Sequence, residues 1–182
     1  GADRFGWSKR NPQPGQTREG SSLIGIGVSA AFRNNLLAPS AARVRLDNRG
    51  MVTVETDMTD IGTGSYTIIA QTAAEMMGVP PKDVTVRLGD SAFPVSSGSG
   101  GQFGANNSTS GVYAACVKLR EAVARKLGFN SADAAFADGF VRSGNRSVRL
   151  AEAAGEGGLS AEAKNEYGEL DKTYQKSSFG AH

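Results

Sequence analysis

The sequence predicts an α+β fold: a two-layer arrangement in which helices pack on one mixed sheet. Two observations carry this. Apolar and polar residues alternate through Ala42–Asp47 and Met51–Glu55 around Asn48-Arg49-Gly50, a hairpin with a glycine suited to the left-handed region. The period then becomes helical, with Tyr66, Ile69, Ala70, Ala73 and Met77 at i, i+3, i+4, i+7 and i+11, and a strand and a second helix follow.

Taken in order, residues 1–21 are rich in Gly, Pro, Arg and Gln and read as an irregular lead-in, with Phe5–Trp7 as a short apolar anchor. Ser22–Asn34 alternates well enough for a strand. The hairpin comes next, and then the helix Tyr66–Met77. Gly78 closes that helix and Pro80-Pro81 prevents its continuation. Val84, Val86 and Leu88 form a strand ending at Gly89-Asp90. The glycine-rich Ser96–Gly104 leads to a helix over Ser108–Leu127, with Val112, Ala115, Cys116, Leu119, Val123 and Leu127 inward and Gly128 at its end. Beyond it come strand signals at Gly139–Arg142 and Arg146–Leu150, a short Ala/Glu helix, a loop around Gly155–Gly158, and the start of a strand at Ser177–His182.

Composition narrows the function. Hydrophobic residues at 39% and charged residues at 21% suit a chain that buries a core, which excludes a disordered charged tail. Lys+Arg 20 against Asp+Glu 18 leaves +2, too close to balance for a nucleic-acid or membrane surface. No apolar stretch nears the roughly 18 residues of a membrane span, and Asp3, Arg4, Lys9 and Arg10 interrupt any leader-like run. Cys116 is the lone cysteine and His182 the lone histidine, so a four-cysteine zinc site, an iron–sulfur ligand set and histidine-based catalysis find no residues here.

The informative feature is a repeated arrangement. Asp60-Ile61-Gly62-Thr63-Gly64-Ser65 follows one strand and opens the first helix; SSGSGGQFG (96–104) follows the next strand and leads to the second. A helix N-terminus offers unpaired N–H groups and partial positive charge, and glycines let a ligand approach the backbone. Two such loops could grip two parts of a long anion, with Thr63, Ser65, Ser97 and Ser99 adding hydroxyls. The plain alternative is that the glycines only make turns and caps. Neither loop carries the Lys-Ser/Thr of a P-loop. Gly25-Ile26-Gly27-Val28-Ser29-Ala30, with Asp47 beyond it, has dinucleotide-fingerprint spacing, but its strand is too short and Pro39 leaves no room for the crossover helix.

At these residues the sequence resembles the molybdenum-binding large subunit of the xanthine dehydrogenase and aldehyde oxidoreductase enzymes. Thr56–Gly89 (TDMTDIGTGSYTIIAQTAAEMMGVPPKDVTVRLG) is similar to that family's first cofactor segment, and Gly89–Cys116 (GDSAFPVSSGSGGQFGANNSTSGVYAAC) to its second loop and helix. RFGW, PGQTREG and GIGVSAAFRNN match most closely the bacterial periplasmic aldehyde oxidoreductase branch, a likeness that leaves both periplasm and cytoplasm open. The implied fold is of the molybdenum-cofactor-binding-domain type, with residues 1–21 as lead-in and 22–182 as part of that domain, cut short at its C-terminal end.

The resemblance implies a hydroxylase of aldehydes or N-heterocycles that takes oxygen from water, uses a molybdopterin cofactor (the cytosine dinucleotide form) and passes electrons to iron–sulfur and FAD subunits. It places Ile61, Gly62, Thr63 and Gly64 at the pterin, and Ser99, Gly100, Gly101, Gln102, Gly104 and Ala105 at the molybdenum ligands and pterin. Thr63 stands where many relatives have glutamine, so a hydroxyl or backbone contact replaces an amide. Arg33 is the substrate-facing candidate, a cation that would steady a carbonyl oxygen. Its bland alternative is a surface arginine at a strand end.

The family's catalytic glutamate sits in a G-x-G-E motif that this sequence lacks; Gly155-Glu156-Gly157 does not match its context. The chain thus reads as about a quarter of a subunit, inactive alone, whose uncovered apolar faces would favour self-association. Two other readings stand beside it: a non-redox nucleotide- or anion-binding module using the same loops, and a structural domain mediating subunit contacts.

Overall fold

A computed structural model describes residues 1–100, 103–173 and 177–181. The chain divides into two compact units, Gly1–Asn34 with Ser177–His182, and Asn35–Lys176.

The smaller unit begins with helix α1 (Ala2–Phe5) and a 3-10 turn (Trp7–Lys9), where the Arg10 guanidinium stacks 3.8 Å from the centre of the Trp7 ring. Two ribbons follow: β1 (Arg18–Glu19) with β2 (Ser22–Leu23), and β3 (Ala30–Asn34) with β11 (Ser177–Ala181), both antiparallel. The strand expected over Ser22–Asn34 is therefore two pieces, because residues 24–29 have no strand partner. Phe5, expected as a packing anchor, is 65% exposed, and Phe32 and Phe179 also face outward.

The larger unit holds a four-stranded sheet, in the order β10 (Leu159–Asn165), β4 (Ser40–Leu46), β5 (Val52–Thr56), β6 (Val84–Leu88). β4 (Ser40–Leu46) and β5 (Val52–Thr56) form the expected hairpin. β5 leads through α2 (Ser65–Met77) to β6 (Val84–Leu88), which pairs parallel to β5, so the sheet is mixed. After β6 the chain enters α3 (Phe103–Leu127), and then the meander β7 (Ala135–Ala137), β8 (Phe140–Ser143) and β9 (Arg146–Arg149). α4 (Leu150–Ala154) precedes β10 (Leu159–Asn165), and α5 (Leu170–Thr173) follows it.

The core forms where alternation and helical period meet. Ala42, Val44, Leu46, Val52 and Val54 bury one sheet face against Ile69, Ala73 and Met77 of α2 and Val112, Ala115, Cys116, Leu119 and Val123 of α3. Each fully buried aliphatic side chain contributes roughly 1.5–3 kcal/mol, which outweighs the weak helix propensity of α3's Asn-, Ser- and Thr-rich start.

Three expectations change. Tyr66 is exposed and Ser65 buried, since the first turn of α2 lies at the sheet's end, where the loop rather than the core meets it. α3 starts at Phe103 rather than Ser108: Thr109 and Ser110 return their hydroxyls to the carbonyls of Ala105 and Asn106 at 2.9 and 2.8 Å, so these polar residues are satisfied within the helix. β10 was not expected as a strand. It pairs along β4 from Leu159↔Leu46 to Asn165↔Ser40, with Ala161 and Ala163 packed on the core.

Candidate functional site

Both glycine segments leave the same end of the sheet. β5 and β6 are parallel neighbours, so the loop after β5 and the loop after β6 emerge together at their C-terminal ends, the usual place for ligands in such units. The second loop is also tied to the chain that leads into the first. Asp57 N donates to Pro94 O at 3.0 Å, Ser96 N donates to Asp57 Oδ1 at 2.5 Å, and the Ser99 hydroxyl donates to the Thr59 carbonyl. On the other side, Ala41 N donates to Val95 O at 2.9 Å, and the Ser40 and Ser96 hydroxyls lie 3.1 Å apart.

The first loop differs from the sequence expectation in one chemical respect. The N–H groups of Gly62 and Thr63 are not open donors. Asp60 Oδ1 accepts from Gly62 N at 2.8 Å and Thr63 N at 3.0 Å, and Oδ2 accepts from Tyr66 N at 3.3 Å. Desolvation opposes ionisation of this carboxyl, but the N–H groups of Gly62, Tyr66, Thr63 and Ser65 prevail and hold its pKa below the ordinary value. The Asp60 carboxylate thus caps α2 from outside the helix and puts a negative charge beside the loop. Asp two residues before Gly was a legible signal for such a turn.

What remains outward is neutral. Ile61 is 65% exposed, and Gly62, Thr63 and Gly64 are exposed. The Thr63 and Ser65 hydroxyls lie 3.2 Å apart. Gly62 (φ +91), Gly64 (φ +79) and Gly98 (φ +70) sit in the left-handed region, and a Cβ at any of them would meet nothing within 4 Å, so the backbone there is open to a ligand. Gly104 is different: its Cβ would come 3.0 Å from Met58 Cε and 3.1 Å from Gly98 O, so this glycine lets α3 close on the second loop.

Ile61–Gly64, Ser99, Gly100, Gly104 and Ala105 therefore belong to one end of one unit, with Ala105 exposed on the first turn of α3. Gly101 and Gln102 lie outside the described residues. Arg33 is exposed on β3, opposite Ser178 of β11, in the smaller unit. Among the described residues, no group of three or more His, Cys, Asp or Glu side chains could hold a metal ion.

Sequence reasoning passed over two polar clusters. Glu55, with a side chain only 5% exposed, receives Arg43 and Arg45 on Oε2 and Arg87 on Oε1, at 3.2, 3.2 and 2.9 Å. Arg43 and Arg45 on β4 and Arg87 on β6 thus clamp a buried carboxylate. Asn107, fully buried, holds three neighbours, described below.

A mixed sheet carrying two open glycine loops at the ends of parallel strands is the frame of a cofactor-binding domain. The chain belongs to the molybdopterin cofactor-binding domain family, whose model matches residues 1–182. It is 63% identical over 182 residues, all of this chain and 25% of the relative, to the aldehyde oxidoreductase molybdenum-binding subunit PaoC of Escherichia coli (strain K12). Over 87 residues, 45% of this chain and 11% of the relative, it is 32% identical to the xanthine dehydrogenase molybdenum-binding subunit of Escherichia coli O157:H7.

Among solved structures, the copper- and molybdenum-containing CO dehydrogenase matches with TM-score 0.66 and 20% identity, over 86% of this chain and 23% of that one. Quinoline 2-oxidoreductase from Pseudomonas putida 86 matches with TM-score 0.64 and 21% identity, over 85% and 24%. These two likenesses show the fold. The chain spans about a quarter of the length of PaoC.

Proposed function

We propose that this chain supplies part of the molybdopterin cradle in the catalytic subunit of a molybdenum hydroxylase, with aldehydes as substrates and N-heterocycles as the next class. The observation that carries this is the 63% identity along all 182 residues to an aldehyde oxidoreductase subunit. The loop geometry supports it. Open, neutral backbone at Gly62, Gly64 and Gly98, flanked by the hydroxyls of Thr63 and Ser97, suits a flat, hydrogen-bonding group lying against the two loops.

The same geometry limits the role. Residues 61–64 and 97–100 carry no cation, and Asp60 already takes the N–H groups of Gly62 and Thr63, so these residues hold by neutral contacts. The bound cofactor supplies the two-electron oxidation, with water as the source of the oxygen. This chain's residues do the holding: Ile61 and Thr63 from one loop, and Ser99, Gly100, Gly104 and Ala105 from the other. Gly101 and Gln102 belong to the same proposed contact by sequence, as does Arg33 on the substrate side, where its cation would orient a carbonyl oxygen. Iron–sulfur and FAD subunits would accept the electrons, and the cytosine dinucleotide form of the cofactor follows from the family resemblance.

The test is made on the complete protein that carries this chain. Gly62→Val and Gly98→Val put a branched side chain at an open, left-handed position, and each should lower molybdenum and acid-released CMP several-fold while the protein still folds. Full molybdenum content in both variants would sink the loop assignment, and AMP or GMP in place of CMP would correct the nucleotide.

A further inference from the structure

The buried side chain of Asn107 occupies a position that packing alone does not explain. It lies on the inner side of α3, fully buried, where an amide without partners costs roughly 1–3 kcal/mol. Its Oδ1 accepts from Ala38 N at 3.2 Å and its Nδ2 donates to Leu36 O at 3.1 Å. One partner is an obligate donor and the other an obligate acceptor, which fixes the amide's orientation. The Tyr167 hydroxyl donates to the same Oδ1 at 3.0 Å and stands 2.9 Å from Ser110 Oγ. Asn107 thus fastens residues 36–38 and Tyr167 to the beginning of α3.

Residues 36–38 lead directly into Ser40. That residue is fully buried and pressed against α3: a Cβ on Gly111 would come 2.5 Å from its Oγ and 2.8 Å from its carbonyl oxygen. Its hydroxyl reaches Ser96, the first residue of the second glycine segment, at 3.1 Å, and the next residue's N–H holds Val95 O. Ser96 N is held in turn by Asp57. A connected line of short polar contacts therefore runs from Tyr167 through Asn107, the 36–40 backbone and Ser40 to the root of the loop. Buried polar networks with every member satisfied specify one arrangement and resist distortion.

We propose that Asn107 is a positioning residue for the second glycine loop, acting through the 36–40 backbone and the Ser40–Ser96 contact rather than by touching the cofactor. The inference rests on the reading of that loop as part of the molybdopterin cradle. Asn107→Leu keeps the branching at Cγ, at the cost of a larger side chain, and removes both hydrogen-bonding functions. Tyr167→Phe removes one contact, and Ser96→Ala cuts the line at its far end.

The complete enzyme is purified for each variant, and molybdenum content and the rate of cofactor release are measured well below the variant's own melting temperature. Leu119→Ala, a core truncation away from the line, serves as a control for general destabilisation. Asn107→Leu should lower molybdenum content at least threefold and speed release at least tenfold, Ser96→Ala and Tyr167→Phe should each give a smaller loss, and Leu119→Ala should retain its cofactor. The Asn107→Leu, Ser96→Ala double variant should be no worse than Asn107→Leu alone, because both cut one line.

If Asn107→Leu does not fold, Tyr167→Phe and Ser96→Ala decide by the same readouts. Full cofactor retention in these variants while Gly98→Val loses it overturns the inference and leaves the loop reading intact. Independent, multiplying losses for Asn107→Leu and Ser96→Ala also overturn it. Retention in Gly98→Val as well removes the loop reading and this inference together.

Discussion

Glu55→Gln tests how the sheet's outer face is held. The wild-type carboxylate accepts from three guanidinium groups, at 3.2 Å from Arg43, 3.2 Å from Arg45 and 2.9 Å from Arg87. Charge-assisted hydrogen bonds contribute roughly 1.5–3 kcal/mol each when shielded. The arginine side chains are 28%, 49% and 55% exposed, which brings each contact nearer the ≤1 kcal/mol of a solvated pair. The amide keeps one acceptor but carries no charge, and of the three arginines Arg43 keeps an acidic partner in Glu162. The expected loss is about 2 kcal/mol, or roughly 30-fold in a local opening equilibrium.

The pH dependence has a definite sign. Burial opposes ionisation, but the hydrogen bonds from Arg45 and Arg43 and the charges of Arg45 and Arg87 prevail, holding the folded pKa below its ordinary value of 4.5. A depressed carboxyl pKa stabilises the fold fully above the unfolded pKa, and that contribution is lost as pH falls through the folded one. Hydrogen–deuterium exchange of residues 40–56 in the complete protein reads the local opening directly. At pH 7 the variant should exchange about 30-fold faster, and the gap should narrow below the ordinary value of 4.5 and close as the pH falls through the folded pKa, once intrinsic rates are divided out. Exchange within twofold of wild type at pH 7, or a gap that persists at low pH, would refute the clamp.

Two further outcomes follow from packing. Gly111→Ala gains about 1 kcal/mol of helix propensity but pushes a methyl to 2.5 Å from Ser40 Oγ and 2.9 Å from its carbonyl carbon; overpacking of that kind costs about 1–3 kcal/mol. It should therefore destabilise in hydrogen exchange of α3, and Ser40→Ala should relieve only part of the loss. Cys116 is fully buried, and burial pushes its thiol up to about 12 against the opposing Arg120 charge, so maleimide at pH 7 should leave it unlabelled until the protein is unfolded, as read by mass spectrometry.

Where the apolar period was strong, the sequence predicted its own fold: Val44, Leu46, Val52 and Val54 alternate with charged or hydroxyl partners, and Ile69, Ala73 and Met77 repeat at helical spacing. β10 was hidden because Leu159, Ala161 and Ala163 carry its alternation with mostly alanine, a weak strand former whose small size suits close packing beside α3. The start of α3 was hidden for the opposite reason, since Asn106, Asn107, Ser108 and Thr109 read as loop residues until their tertiary partners are known. The glycine loops were legible as a pair. The allotment of their N–H groups was not, because it depends on where the Asp60 carboxylate turns.

Apart from Glu55, the buried polar residues gather at one end of the larger unit: Ser40 at the start of β4, Thr56 at the end of β5, Ser65 at the start of α2, and Asn107 and Ser108 early in α3. A core seeking stability alone would place apolar groups there, because each buried hydroxyl or amide must recover its desolvation through a partner. Thr56 finds Ala41 O at 2.9 Å, Ser40 finds Ser96, and Asn107 finds two segments and a tyrosine. These bonds are directional, as apolar contacts are not, so they fix the bases of two loops whose tips are mostly glycine, serine and threonine. Open glycine backbone that must meet a flat group needs its rigidity from beneath. The polar end of the core is where this fold places it.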